Sequence, residues 1–389
     1  MRIPLAVGVV LALVAGFFFA VPVYVDGSMN TLDAEVAIPV TERARALHAT
    51  LPVGDLHNDL LLWDRGVIGP TARGHTDVTR LAKGNVAVQV FSTVTKTPKG
   101  QNYERNSAES DNITLLAIAS RWPPRTYRSL LARALHQGAK LERAAALSDG
   151  RLILVRSGAE FRNALALRAE WKGAADAKPV IGLLNTEGLQ AIEGQLANVD
   201  TLFAHGFRMA GLAHFFDNEV AGSAHGEVKG GLTSLGRDAV RRMQEIGMIV
   251  DLAHSSPTAF AEALALATRP VVVSHVGVQA TCAGPRNLTD DQLRALAANG
   301  ALIGIGFWDG AVCSSSPRDV AKAIRHAVGV AGLAHVALGS DWDGATTVAL
   351  AGDTLAQLTQ ALLDANFTEA EIRAVMGENL VRFLEANLP

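Results

Sequence analysis

The chain has little cysteine and no excess of charge of either sign. Its 389 residues include two cysteines, Cys282 and Cys313. That excludes a disulfide framework and a cysteine-rich zinc site. A single disulfide in an oxidising compartment and a pair of buried thiols both remain open. Lys and Arg number 35 against 38 Asp and Glu, for a net charge of −3. With no basic stripe or Lys/Arg block, nucleic acid binding has no support. Low-complexity runs and repeats of solenoid length are also missing, which excludes disorder and repeat architectures.

Charge is missing most completely near the amino terminus. No charged residue occurs from Ile3 to Val25, in a run rich in Val, Leu, Ala and Phe. At about 1.5 Å per residue, this run is long enough to cross a hydrocarbon core of roughly 30 Å. Arg2 precedes it, while Asp26, Asp33 and Glu35 follow. That asymmetry predicts an inside amino terminus and an exported body, periplasmic or extracellular. A cleaved signal peptide normally has a shorter apolar core and a small-x-small site. Ala20, coming after Phe17, Phe18 and Phe19, makes a poor one. For residues 1–25 an uncleaved transmembrane anchor is therefore favoured, with a signal peptide and a secreted protein as the alternative. Residues 26–49 read as a linker running into a short helix at Glu42–Ala49.

Hydrophobic residues make up 49% of the chain, enough to bury a large core. From residue 50 to 389, short apolar runs alternate with longer Ala/Leu/Arg stretches of helical period. The runs are Val53–His57, Val86–Ser92, Val180–Thr186, Arg208–His214, Met248–His254, Pro270–His275, Leu302–Phe307 and Val336–Ser340. Runs apolar at nearly every position suit strands buried on both faces, in a parallel sheet covered by helices. Eight of them predict a (β/α)8 TIM barrel in a single domain. Leu152–Arg156 reads as an accessory strand, because it ends in no site-type residue. A helix is predicted to close on Gly300, and another to open with the capping box Thr368-x-x-Glu371. Residues 96–149 form an insertion, with a polar loop followed by two helices separated by Pro123-Pro124, and could overhang the barrel mouth.

Six of the eight runs deliver a His, Asp or Glu at their carboxyl ends, where barrel active sites lie. His57 and Asp59 are two residues apart, so on a strand they point the same way. His254 and His275 supply nitrogen ligands for a second ion, and Glu187 is placed to share its oxygens between both. Neutral imidazole with carboxylate suits zinc, leaving positions open for water. Two such ions could hold a hydroxide and polarise a carbonyl. A lone His at a strand end is more often packed or capping, so the combination carries the argument. His48, His136, His205, His225 and His326 fall in helical or loop stretches and receive no role; His335 reads as structural.

The motifs resemble the membrane dipeptidase (renal dipeptidase) family of the amidohydrolase group. The resemblance rests on Asp55-Leu56-His57-Asn58-Asp59, Asp251-Leu252-Ala253-His254, Arg286-Asn287-Leu288 and Gly339-Ser340-Asp341-Trp342-Asp343-Gly344, and runs to Gly377-Glu378-Asn379-Leu380. It implies a zinc-dependent dipeptidase using a metal-bound hydroxide, with two Zn2+ held by His57, Asp59, Glu187, His254 and His275. His214 resembles the histidine that contacts the substrate carbonyl, Arg286 the residue that grips the terminal carboxylate, and Asp341 the proton shuttle. The expected partners are a dipeptide, the membrane through the amino-terminal segment, and a second copy in a homodimer. Val276 and the Asn185-Thr186 pair depart from the usual pattern without removing a ligand. A related binuclear amidohydrolase acting on N-acyl amino acids or lactones is the alternative enzyme. A binding module that has lost catalysis is the alternative from another class, and it must explain why every ligand type is present.

Overall fold

The computed structural model describes residues 13–389. The apolar runs form strands, all but one shorter than predicted. In chain order they are β1 (Thr31–Leu32), β2 (Val53–Asp55), β3 (Val86–Phe91), β4 (Leu152–Leu154), β5 (Val180–Thr186), β6 (Phe207–Gly211), β7 (Ile249–Asp251), β8 (Val272–Val276), β9 (Leu302–Ile305), β10 (Val336–Leu338) and β11 (Thr347–Val348). Eight of them run β3-β2-β10-β9-β8-β7-β6-β5, all parallel, and a β3–β5 pairing closes the ring. β4 pairs with the first residues of β5 before β6 takes over, so it is accessory, as its sequence implies.

The strand ends differ from expectation for a chemical reason. Runs expected to reach His57 and His254 stop at Asp55 and Asp251. The Asp55 carboxylate accepts the N–H groups of His57 at 3.1 Å and Ser340 at 2.8 Å. Asp251 accepts those of Ala253 at 3.0 Å and Ser274 at 2.9 Å. Each aspartate thus takes over donors that a longer ladder would have used. The interior is tight here. A Cβ added to Gly304 or Gly339 would lie 2.1 or 2.0 Å from Ser274 O.

Side chains pointing into the barrel, among them Ile181, Met209, Ile249, Val272, Leu302 and Ala337, form one apolar cluster with Leu380, Phe383 and Leu384 of the last helix, Asn379–Asn387. That helix plugs the amino-terminal end of the barrel. The predicted caps are present: Thr289 and Gln292 form a capping box on Asp290–Asn299, which ends on Gly300 at φ 81°, and Thr368 and Glu371 form another. In the insertion, helices Ile113–Ala119 and Leu130–Ala146 flank a turn at Pro124–Tyr127. Cys282 and Cys313 are joined by a disulfide, which ties the loop after β8 to the loop after β9.

The expected membrane-crossing segment is not found among the described residues: no helix there is long and apolar enough to span a bilayer. Residues 1–12 of that segment lie outside the described part. Residues 13–19 are helical, and a second helix, Val21–Met29, straddles the expected boundary at residue 25. Pro22 has no N–H for the Phe18 carbonyl, and the Arg121 guanidinium donates to that carbonyl instead. The helix is docked on the barrel, with Pro22 and Asp26 buried.

Candidate metal centre

Six of the eight barrel strands feed a polar side chain to the same end. His57, Asp59, Glu187, His214, His254, His275, Arg286 and Asp341 are all buried there. Glu187 is the hub. Its Oε1 lies 3.0 Å from His254 Nε2, 3.2 Å from His275 Nε2 and 3.7 Å from His57 Nε2. Its Oε2 lies 3.3 Å from His214 Nε2. His57 Nε2 is also 3.4 Å from Asp59 Oδ2 and 3.8 Å from Asp341 Oδ1. The pairing of His57 with Asp59 therefore holds although β2 ends before them. Asn58 turns aside as expected and donates to Thr76 Oγ1 at 2.7 Å.

A cation fits this donor set. Ser274 Oγ donates its proton to Asp251 Oδ2 at 2.5 Å, so it accepts from His275 Nδ1 at 2.9 Å. That fixes the tautomer of His275, whose Nε2 must present a lone pair to the Glu187 carboxylate and to His254 Nε2, 3.0 Å away. Lone pairs facing one another at such distances call for positive charge between them. Asp59 Oδ1 is buried with no hydrogen-bond partner, a free ligand atom of the right kind. Three trios of ligand atoms each lie within 4.8 Å: His57, Asp59 and Glu187; His57, His275 and Asp341; Glu187, His214 and His254.

The electrostatics agree. Burial alone would lower the His57 imidazole, yet Asp59, Glu187 and Asp341 together lift it to about 10. Burial pushes the Glu187 carboxyl well above its usual range, with Asp59 adding to the effect. Burial raises Asp341 to about 7 against the pull of His57. Burial, then neighbouring positive groups, hold His254 and His275 well below the usual value, so both are neutral. Excess negative charge on one side and neutral imidazoles on the other are what divalent cations complement.

His254 (φ 61°), Asp341 (φ 59°), Asp343 (φ 63°) and Ala345 (φ 60°) have left-handed backbones, uncommon for residues with side chains. Asp343 does not join the cluster. Its carboxylate accepts His75 N–H at 2.6 Å and Thr76 Oγ1 at 2.7 Å, and pairs with Arg65 Nη2 at 2.5 Å. It is an anchor for the loop that carries Asp341.

A cavity of about 520 Å³ opens over the centre, lined by Asp59, Glu187, His214, His254, His275 and Asp341. Arg286 lies on one wall. Its Nη2 donates to His275 O at 2.6 Å, while its buried Nε has no partner. The guanidinium sits 5.4 Å from the Trp308 ring centroid. Trp308 Nε1 donates to Tyr103 Oη at 2.7 Å, and Tyr103 lines the cavity from the insertion.

Sequence reasoning missed Tyr103, Trp308 and His225. The fully buried His225 ring stacks on Phe215 at 4.9 Å and lies 5.4 Å from the His254 ring. Nothing in the periodicity marks these three, because they arrive on loops.

A closed parallel barrel with a buried carboxylate–imidazole cluster at the carboxyl ends of its strands defines a metal-dependent hydrolase of the barrel class. The model of the membrane dipeptidase family, peptidase family M19, matches residues 41–387, and the chain belongs to that family. It is 28% identical over 360 residues to the dipeptidase verJ of Clonostachys rogersoniana, covering 88% of this chain and 86% of that one. Among solved structures it resembles the dipeptidase AC, a metallo peptidase of family M19, at 25% identity and a TM-score of 0.70, covering 87% of this chain and 99% of the other. A metallo peptidase from Rhodobacter sphaeroides, liganded with a phosphinate mimic of the dipeptide L-Ala-D-Ala, matches with 25% identity and a TM-score of 0.68 over the same shares. The chain is a metal-dependent dipeptidase.

Proposed function

We propose that the enzyme holds two zinc ions, through His57, Asp59, Glu187, His254 and His275, and hydrolyses the peptide bond of free dipeptides. One observation carries the reading: four imidazoles, those of His57, His214, His254 and His275, converge on Glu187 with a half-satisfied, buried guanidinium beside them. When bound, the ions supply a water of lowered pKa and a Lewis acid for the scissile carbonyl. The chain's own residues do the rest. Arg286 holds the substrate carboxylate through its free donors, a task suited to a planar fork. His214, neutral because burial brings it to about 3, donates to the carbonyl oxygen as charge develops there. Asp341 takes the proton of the attacking water and returns it to the leaving amine.

The Arg286 anchor favours dipeptides over lactones, which have no carboxylate to hold. The phosphinate-bound relative supports including a D-residue at the second position. Hydrolysis of L,L- and L,D-dipeptides, with chelator controls, tests the reading. A metal-free preparation with full activity refutes it.

We also propose an exported catalytic body. The uncharged run Ile3–Val25 and the Cys282–Cys313 disulfide support it. Sequencing the mature amino terminus from membrane and soluble fractions tests it, and a cytoplasmic enzyme with reduced thiols refutes it.

A further inference from the structure

The helix Val21–Met29 and the residues just after it are fastened at three points to the loop that carries Asp341, one of them through Arg65. Asp26 is fully buried, with its carboxylate 3.2 Å from Arg65 Nε and 3.3 Å from Arg73 Nε. Arg65 reaches on to Asp343, two residues past Asp341. Asn30 Oδ1 accepts the Ala345 N–H at 2.9 Å. β1 then pairs with β11, Thr31 opposite Thr347 and Leu32 opposite Val348. So much buried polar contact is more than a passing anchor or a discarded leader needs.

Two side chains of this segment, Val25 and Met29, line the cavity over the metal centre. Leu62, Trp63, Ile113 and Leu116 line the same cavity. Val25 packs against the apolar cluster that includes Leu62, Trp63 and Ile113. All the charged residues lining the cavity belong to the centre or to Arg286, so this wall is uncharged.

The strand order says which part of a substrate meets it. Arg286 follows β8, whereas the insertion with Ile113 and Leu116 follows β3. In the ring β3-β2-β10-β9-β8-β7-β6-β5, β3 and β8 are four strands apart by either route, on opposite sides of the barrel. A dipeptide with its carboxylate on Arg286 and its peptide bond over the centre directs its amino-terminal residue to the far wall.

We propose that the helix Val21–Met29 is part of the mature enzyme, and that Val25 and Met29 form with the insertion an apolar pocket for the side chain of the substrate's amino-terminal residue. The proposal rests on the Arg286 reading for its orientation. It makes the enzyme selective for uncharged, apolar residues at that position.

The test uses the full chain and kcat/KM for Leu-Ala, Lys-Ala and Gly-Ala, with Ala-Leu and Ala-Gly reporting on the other position. Met29→Trp fills the pocket, and should lower the Leu-Ala to Gly-Ala ratio about tenfold. Met29→Asp places a carboxylate there, and should raise the Lys-Ala to Leu-Ala ratio by a similar factor. Either variant suffices if the other fails to fold. The Ala-Leu to Ala-Gly ratio should hold in both. Unchanged amino-side ratios, or a shift confined to the carboxyl side, overturn the pocket. A mature chain that begins after Met29 overturns it as well. Equal cleavage of Leu-Ala and its amide by the unsubstituted enzyme removes the Arg286 anchor instead, and is read separately from the Met29 variants.

Discussion

Replacing Arg286 with Ala should separate binding from chemistry. The side chain is buried, one nitrogen is spent on His275 O at 2.6 Å, and Nε is unpartnered. A hydrogen bond to a charged group contributes about 1.5–3 kcal/mol, so losing it should cost about ten- to a hundredfold. The contact is present in substrate and transition state alike, so the loss should fall mainly on KM. Truncation also removes packing on Trp308 and the bond to the His275 carbonyl, and that damage would affect every substrate equally. The decisive quantity is therefore a ratio: kcat/KM for a free dipeptide over that for its amide. The parent should prefer the acid and Arg286→Ala should lose that preference. Arg286→Lys should fall between, since an ammonium keeps the charge but not the fork. If Arg286→Ala keeps the parent's acid-to-amide ratio, Arg286 does not hold the carboxylate, and the assignment shifts toward a general amidohydrolase.

Glu187→Gln should disturb both proposed ions at once, because Glu187 meets His57, His254 and His275 together; elemental analysis finding two tightly held zincs would refute the proposed bridge. Asp341→Asn should lower kcat by about 10²–10⁴-fold with little change in KM, as expected for lost proton transfer. His214→Ala should lower kcat by about 10²–10³-fold, and unaltered turnover in steady-state assays would exclude it from the oxyanion. His48, away from the centre, is held between Thr359 Oγ1 and Gly84 O, and burial lowers its pKa despite the Gly84 bond. The unfolded chain therefore takes up this proton first, and the contribution is lost as pH falls below about 6.5. Thermal melts of His48→Gln should show a shallower loss of Tm between about pH 8 and pH 5 than the parent; parallel curves would refute it.

The barrel and its ligands were legible because two signals coincided. Continuous apolar runs marked doubly buried strands, and each strand that matters ended in His, Asp or Glu. Glu187 stood out as the lone carboxylate closing β5, and His275 as the imidazole within β8. The strand ends were not legible, since Asp55 and Asp251 act on neighbours far along the chain, Ser340 and Ser274. The docking of the helix Val21–Met29 on the barrel was not legible for a related reason. An apolar stretch suits a bilayer and a protein surface equally, and the docking rests on Asp26 meeting Arg65 and Arg73 far along the chain. Tyr103 and Trp308 were invisible because they meet each other across 205 residues of sequence.

The left-handed backbones at His254 and Asp341 set a conflict between endurance and turnover. Glycine adopts that conformation more readily than histidine or aspartate. A laboratory lineage screened for heat resistance alone would gain by such replacements, each relieving on the order of 1 kcal/mol. It would drift toward a hardier protein that no longer works, while the far end of the barrel, closed by Leu380 and Phe383, carries no part of the centre. Any programme to harden this enzyme must score activity in every round at the mouth of the barrel, and can leave its floor to the thermometer.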